Sequence, residues 1–137
     1  KMVGLLAVEL FLLPNGELLV NEVAPRPHNS GHHTIECNIT SQFEQHLRAV
    51  LDMPLGETDS IRKGAMINLL GASGYNGPAK YDGLDEVLSL PGVHVHLYGK
   101  ATTRENRKMG HITVTSRELK TAKSTAKKVL NLIRVIS

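Results

Sequence analysis

Two apolar runs, residues 5–13 and 18–23, are joined by Pro14-Asn15-Gly16, and this pattern constrains the fold more than any other. Asn-Gly between apolar runs is a strong hairpin signal, because both residues tolerate positive φ. A hairpin folded around that turn places Glu9 opposite Glu22, with Cβ atoms about 5 Å apart. Two carboxylates that close repel unless a cation lies between them. The pattern therefore predicts either a Mg²⁺ site at this pair or glutamates that point into solvent.

The segment after the second run, NEVAPRPHNSGHH at residues 21–33, concentrates an acid, cations, imidazoles and prolines. In an extended X-Pro-X segment, residues two apart point to the same side, so Arg26 and His28 would form a joint clamp for a small planar oxyanion. A loop pinned only by internal hydrogen bonds explains these residues equally well. A zinc site is disfavoured, because Cys37 is the only cysteine and no C-x-x-C pair is present to complete a tetrahedral centre.

Helix and strand signals alternate through the rest of the chain. Ser41-Gln42-Phe43-Glu44 is a capping box that predicts a helix ending at Met53-Pro54. Its expected buried stripe is Phe43, Leu47, Val50 and Leu51. The further expected elements are strands at residues 65–70, 93–98 and 110–114, a helix at 85–90, and a last helix behind a second capping box, Thr115-Ser116-Arg117-Glu118.

The last helix carries lysines between apolar residues. The apolar stripe is Leu119, Ala122, Ala126, Leu130 and Ile133, at spacings of three and four. Such lysines are typical of a solvated face, and a nucleic-acid-binding stripe is the alternative. The cations of residues 104–108 form either a solvated loop or a phosphate or carboxylate contact. His94 and His96 share one strand face and are interpreted as structural.

Composition bounds the remaining classes. An apolar content of 41% in 137 residues supports a packed core, and the net charge of +3 is too small to indicate disorder. One cysteine excludes an internal disulfide framework and favours a reducing, cytoplasmic compartment. No apolar run reaches membrane-spanning length, and Glu9 interrupts the opening run where a secretory signal is unbroken. Because the chain opens at Lys1 within an apparent strand, we expect it to be a piece of a longer protein.

The chain resembles the C-terminal part of the N5-carboxyaminoimidazole ribonucleotide synthetase family, the ATP-grasp enzymes of purine biosynthesis. The residues that carry the resemblance are VELFLLPNGELLVNEVAPRPHNSGHHT and TSQFEQHLRAVLDMPL, followed by AMINLLG, VHVHLYGK and RKMGHITV. The resemblance implies an α/β (α+β) fold with two parts. Residues 1–56 would be the C-terminal portion of an ATP-grasp domain, an antiparallel hairpin plus a helix. Residues 57–137 would be a small sheet-and-helix C-terminal subdomain.

The resemblance also implies a reaction and a set of site residues. ATP phosphorylates bicarbonate to carboxyphosphate, and the exocyclic amine of 5-aminoimidazole ribonucleotide is then carboxylated. The Mg²⁺ that accompanies ATP would be held by Glu9 and Glu22. The resemblance assigns the anion clamp to Arg26, His28 and Lys108, nucleotide or substrate contacts to Asn21, Glu22, Asn29, Ser30 and Gly31, and the substrate phosphate to Arg107. His33 stands where many relatives carry an aromatic residue, so it receives no catalytic role.

The implied partners are ATP, bicarbonate and 5-aminoimidazole ribonucleotide, together with the missing N-terminal and ATP-grasp halves of the same chain. The fused form implies a downstream carboxylase (mutase) domain, the full enzyme is expected to be a homo-oligomer, and neither nucleic acid nor membrane is expected as a partner. Without the missing half, the chain alone is expected to be inactive. The alternatives are a different ATP-grasp carboxylate–amine ligase, which would keep Glu9 and Glu22 but not APRPHNSGH, and a non-catalytic basic nucleic-acid-binding module that uses the last helix.

Overall fold

A computed structural model describes residues 2–137, and the chain divides into two compact units between Ile61 and Arg62. The elements of the first unit are β1 (Ala7–Leu12), β2 (Leu18–Ala24), a 3-10 turn (Asn29–Gly31), α1 (Thr34–Cys37) and α2 (Gln42–Val50). Those of the second unit are β3 (Lys63–Leu70), β4 (Asn76–Pro78), β5 (Lys80–Asp82), α3 (Leu84–Leu88), β6 (Val93–Leu97), β7 (Thr102–Arg104), β8 (Lys108–Ser116), α4 (Leu119–Leu132) and β9 (Arg134–Ile136). The expected mixed class, with antiparallel strands, is confirmed.

The hairpin β1–β2 reaches the expected pairing of Glu9 with Glu22 by a different route from the one predicted. Gly16 alone in the turn has a positive φ, +86°, and its N–H donates to Leu13 O, so the turn is not a two-residue Asn-Gly turn. This turn offsets the strands by one residue, and Leu10 pairs with Val20. A β-bulge then inserts one extra residue into β2, and Glu9 pairs with Glu22.

Helix α2 begins as its capping box predicts, since Ser41 Oγ accepts the N–H of Glu44 at 3.2 Å. The expected buried stripe is wrong: its members are exposed, namely Phe43, Leu47, Val50 and Leu51. The helix is instead fastened to its unit by polar side chains, because Gln42, Gln45 and His46 hydrogen-bond to main-chain groups of three loops.

The core of the second unit lies between α4 and a three-stranded antiparallel sheet of order β3-β8-β6. Its buried residues are Leu69, Val87, Met109, Ile112, Val114, Ala126, Val129, Ile133 and Val135. Ala122, Ala126 and Val129 form the buried face of α4, whereas Leu119 and Leu130 are exposed. The predicted stripe was therefore partly wrong, because small side chains form the face that approaches the sheet.

The second capping box is also wrong. Thr115 and Ser116 extend β8 and pair with Gly64 and Lys63, so they cannot begin a helix. The N-cap of α4 is Glu118, three residues after the predicted N-cap Thr115, and its side chain makes no capping hydrogen bond. Two short strand pairs, β4–β7 and β5–β9, complete the unit and were not expected. Within the described residues, none of the helices has the length and apolarity that crossing a bilayer requires.

Candidate active site

The bulge in β2 gathers three polar side chains beside the hairpin. Glu9 and Glu22 are directly paired, and Asn21 is the extra residue between them and the next pair. Asn21 Nδ2 donates to Glu9 Oε1 at 2.7 Å, so its amide lies on the side of the carboxylates. In a regular strand Asn21 and Glu22 would point to opposite faces, since side chains alternate. The bulge removes this alternation, and both residues approach Glu9.

The ring of His28 joins the carboxylates. Its Nε2 lies 2.6 Å from Glu22 Oε1 and 3.6 Å from Glu9 Oε2, and the residue is only 8% exposed. An ionised carboxylate only accepts hydrogen bonds, so His28 Nε2 carries a proton and donates a hydrogen bond to Glu22. Nδ1 lies 2.8 Å from Ser30 Oγ, and in the neutral ring it accepts that hydroxyl. The ring is thus held at both nitrogens.

The chain between β2 and His28 is bent. Pro25 and Arg26 form a bend, and His28 is the N-cap of the 3-10 turn that contains Ser30. Arg26 is exposed, and its Nη1 donates to Pro27 O at 2.9 Å. The reasoning that an extended segment aligns Arg26 with His28 is therefore incorrect, although the role predicted for the arginine is untested.

The donor set fits a divalent cation. Glu9, Glu22 and His28 each offer one ligand atom, and these atoms all lie within 4.8 Å of one another. The side chains of Glu9 and Glu22 are 41% and 51% exposed, so solvent reaches both. Mg²⁺ binds oxygen at about 2.0–2.1 Å and keeps several waters, and it is held by one or two carboxylates plus substrate phosphates.

Known proteins match both units. The model of the ATP-grasp domain matches residues 1–43, and the model of the phosphoribosylaminoimidazole carboxylase C-terminal domain matches residues 64–125. The N5-carboxyaminoimidazole ribonucleotide synthase of Bacillus subtilis (strain 168) is 54% identical over 113 residues, which are 82% of this chain and 28% of that protein. The crystal structure of the synthetase from Thermotoga maritima has a TM-score of 0.95 and 50% identity, and the match covers 98% of this chain and 38% of that one. The chain belongs to the N5-carboxyaminoimidazole ribonucleotide synthetase family.

A third member of this family has a structure with bound ligands. It is the N5-carboxyaminoimidazole synthase of Aspergillus clavatus in complex with ADP and 5-aminoimidazole ribonucleotide. It is 35% identical with a TM-score of 0.82, and the match covers 93% of this chain and 34% of that one. The chain thus spans about a third of the length of the relatives it matches.

Two residues that the family resemblance assigns to the site lie in the second unit. Arg107 Nη1 donates to the carbonyl and the hydroxyl oxygen of Thr102, both at 3.1 Å. Lys108 is exposed and begins β8, and its carbonyl accepts a hydrogen bond from Lys100 Nζ. Their roles toward substrate phosphate and carboxyphosphate remain predictions.

The histidines of the second unit have structural contacts. His94 Nε2 lies 3.3 Å from Thr115 Oγ1, and His96 stacks on His111 with ring centroids 4.4 Å apart. In the first unit, His33 Nδ1 bonds Ser30 O at 2.8 Å, so this residue supports the 3-10 turn. These contacts are consistent with giving His33, His94 and His96 no chemical role.

One contributor escaped the sequence analysis. Gln42 was noted only as a member of the first capping box, yet its amide bonds the main chain of His28. Fourteen residues separate the two, and no short-range pattern connects them. The only feature of the sequence that could have pointed to Gln42 is its amide side chain in the first turn of a helix. Such an amide is usually explained by helix capping.

Proposed function

We propose that this chain supplies the magnesium-binding and part of the anion-binding site of an ATP-dependent ligase that carboxylates the amine of 5-aminoimidazole ribonucleotide. The observation that carries the proposal is the convergence of Glu9, Glu22 and His28 beside the bulged hairpin. Membership of the family supports it, as does the relative whose structure contains ADP and 5-aminoimidazole ribonucleotide. The comparisons support this function and not the nucleic-acid-binding alternative.

The protein residues act by positioning and charge neutralisation. Bicarbonate and carboxyphosphate are small oxyanions that lose their hydration in a closed site, so they need fixed donors. His28 offers a donor without a permanent charge, and Arg26 offers a planar fork that matches two oxygens. Asn29, Ser30 and Gly31 would line the same pocket, with Asn21 toward the nucleotide. Lys108 would add a compact charge to the clamp, and Arg107 would hold the substrate phosphate.

Glu9 and Glu22 would hold Mg²⁺, which when bound neutralises the phosphate oxygens of ATP and orients them. Both carboxylates also accept hydrogen bonds from the chain itself, Glu9 from Asn21 Nδ2 and Glu22 from His28 Nε2. With the cation bound, Glu22 would either share its two oxygens between the cation and His28 Nε2–H or lose that hydrogen bond to the cation. In the second case Nε2–H would be available to an oxyanion, which is the role proposed for His28.

The test uses a chimera in which residues 2–137 replace the matching 38% of the Thermotoga maritima enzyme. The chimera should form N5-carboxyaminoimidazole ribonucleotide from ATP, bicarbonate and 5-aminoimidazole ribonucleotide. Glu9→Gln and Glu22→Gln should each lower kcat by about 10²–10³, the scale for losing a preorganised electrostatic group, and should raise the Mg²⁺ concentration required. Glu17→Gln is the matched control, since Glu17 lies in the turn of the same hairpin and, among residues 2–137, its hydrogen bonds go to Asn15 and Leu13.

An active chimera whose Glu9→Gln and Glu22→Gln variants behave like Glu17→Gln would refute the metal assignment. An inactive chimera would refute the assignment of function to these residues, provided that its circular dichroism and melting temperature match those of the parent enzyme. The 137-residue chain alone should show no bicarbonate-dependent ATP hydrolysis. Turnover by the purified chain that depends on 5-aminoimidazole ribonucleotide would contradict this expectation.

The remaining inferences concern context. A reducing, cytoplasmic location is proposed from the single, buried and free Cys37. A downstream carboxylase (mutase) domain and a homo-oligomeric full enzyme are likewise proposed from the resemblance. Size-exclusion chromatography of the chimera with light scattering tests the oligomeric state, and a monomer at working concentration would contradict it.

A further inference from the structure

The side-chain amide of Gln42 pairs with the main chain of His28 through two hydrogen bonds. Gln42 Oε1 accepts His28 N–H at 2.8 Å, and Gln42 Nε2 donates to His28 O at 2.8 Å. This is the pairing that a neighbouring strand would supply, and it uses both polar groups of one residue. Only one orientation of the amide matches donor to acceptor at both positions. The two bonds therefore fix the direction of the His28 backbone.

Gln42 is itself anchored. It is the first residue of α2, and its backbone N–H donates to Thr34 Oγ1 at 2.9 Å. Gln42 Nε2 also lies 2.9 Å from His32 Nδ1, and this contact uses the second N–H of the Gln42 amide. Thr34 Oγ1 in turn donates to Gly31 O at 2.6 Å. The amide thus connects the start of a helix to the loop that carries His28.

The ring of His28 depends on this backbone position. Its contacts are short, 2.6 Å to Glu22 Oε1 and 2.8 Å to Ser30 Oγ, and a hydrogen bond weakens steeply with distance and angle. Pro27, directly before His28, has no main-chain N–H and cannot donate to a neighbouring strand. Gly31 N, which donates to His28 O at 3.0 Å, is the other main-chain contact of the residue.

We propose that Gln42 is a positioning residue of the candidate active site: its amide holds the main chain of His28 so that the imidazole lies between Glu22, Glu9 and Ser30. The inference rests on the proposed function for the part that His28 plays in the reaction. The hydrogen-bonding geometry on which it stands is independent of that function.

The same helix provides a matched control. Gln45 pairs with Gly56 in the same way: Gly56 N–H donates to Gln45 Oε1 at 2.9 Å, and Gln45 Nε2 donates to Gly56 O at 2.6 Å. Both glutamines are half-buried, and both join α2 to a loop. Within the described residues, the side-chain hydrogen bonds of Gln45 go to Gly56 and not to His28. A purely structural role for Gln42 predicts that the two positions respond alike, whereas a positioning role predicts that only Gln42 affects the imidazole.

The experiment compares Gln42→Met with Gln45→Met, because methionine keeps an unbranched side chain of similar length without strong donors or acceptors. In the 137-residue chain with labelled histidine, NMR follows the ring Nε2–H resonance of His28, assigned with His28→Gln. We expect Gln42→Met to shift or abolish this resonance and Gln45→Met to leave it unchanged. Gln42→Glu keeps the acceptor for His28 N–H and loses the donor, so a smaller shift is expected.

The second arm measures kinetics in the Thermotoga maritima chimera. Gln42→Met should lower kcat by about 10- to 100-fold, the scale for losing a residue that orients a functional group, while KM for ATP stays unchanged. If the parent chimera is inactive, the proposed function fails and the NMR arm still decides the positioning role. An unchanged His28 resonance in Gln42→Met, or an equal shift in Gln45→Met, overturns the proposal. If circular dichroism shows that Gln42→Met is unfolded, Gln42→Glu decides, and an unchanged resonance in that variant overturns it equally.

Discussion

Replacing Gly31 by alanine perturbs the His28 site through Gln42 without touching either glutamate. A Cβ at residue 31 would lie 2.6 Å from Gln42 Oε1, 2.8 Å from Cδ and 3.2 Å from Nε2. Gly31 is not among the glycines with positive φ, so its backbone conformation is open to alanine. The substitution therefore adds one methyl group against one amide and creates no backbone strain.

The magnitude follows from the contact distances. Ordinary carbon contacts begin near about 3.4 Å, so the amide must retreat by about 0.8 Å. A displacement of that size away from His28 would lengthen each 2.8 Å contact to about 3.6 Å, beyond hydrogen-bonding range. Two lost neutral bonds cost about 1–3 kcal/mol, and removal of a flexible glycine restores about 0.4–1 kcal/mol. We expect a net loss of about 1.3 kcal/mol, within a range of about 0–2.6 kcal/mol, in the stability of the first unit.

The functional effect should exceed the effect on stability. In the 137-residue chain, Gly31→Ala should shift the His28 ring resonance as Gln42→Met does, and in the chimera kcat should fall by about 10- to 100-fold. Urea denaturation measures the change in stability. Gly77→Ala is the control, since its Cβ would meet only Ser137 Cβ and Oγ, at 3.2 and 3.5 Å, and its φ is not positive. A normal His28 resonance in Gly31→Ala, with Gln42 still bonded to His28, would refute the reasoning.

Three further substitutions or reactions test other parts of the chain. Gly83→Ala should lower the free energy of unfolding of the second unit, measured by urea denaturation, by about 2 kcal/mol or more. The reason is that Gly83 has φ +78° and an added Cβ would overlap Leu132 O. A change under about 0.5 kcal/mol would contradict this geometry. Burial, and to a smaller extent the charge of Glu36, raises the pKa of the Cys37 thiol. A smaller fraction of the thiol is therefore thiolate at pH 8, and alkylation of Cys37 should be slow in the folded chain and fast in urea. Equal alkylation rates in the two conditions would contradict this prediction. Lys108→Ala in the chimera should lower kcat by about a hundredfold and change ATP binding little. Lys123→Ala is the control, since Lys123 is also exposed. Near-normal synthesis by Lys108→Ala would exclude Lys108 from the clamp.

Local sequence signals predicted elements whose stability is decided locally. The Ser41 capping box marks the start of α2, and the alternating residues 93–98 mark β6. The same signal failed at Thr115, because threonine also fits a strand and β8 continues as long as β3 supplies a partner. Strand pairing is a long-range property. The two short strand pairs were missed for this reason, since three residues carry no measurable periodicity.

The orientation of α2 was missed because hydrophobic periodicity was taken to identify the side of the helix that packs. In the first unit, the residues that join α2 to the loops are polar: Gln42, Gln45 and His46. Each bonds main-chain groups of a segment that lacks its own ladder, and buried or half-buried backbone groups require such partners. In this chain, which spans about a third of the length of its relatives, amides and an imidazole therefore join α2 to its unit while its apolar residues are exposed. The spacing of apolar residues along the helix does not contain that information.

The pairing of Glu9 with Glu22 was predicted correctly from an incorrect turn. A two-residue Asn-Gly turn would pair Glu9 with Glu22 and would also pair Phe11 with Val20, whereas the observed turn pairs Phe11 with Leu19. Without a bulge, the observed turn would leave Glu22 on the opposite face from Glu9, because a one-residue slip exchanges the faces of a strand. Asn21 absorbs that slip, and its amide bonds Glu9. Deletion of Gly16 or insertion of a residue in the turn should therefore separate the carboxylates even though both glutamates remain. Insertions that move β2 by two residues would keep the face but change the partner, so the pairing of this site depends on the turn and the bulge together.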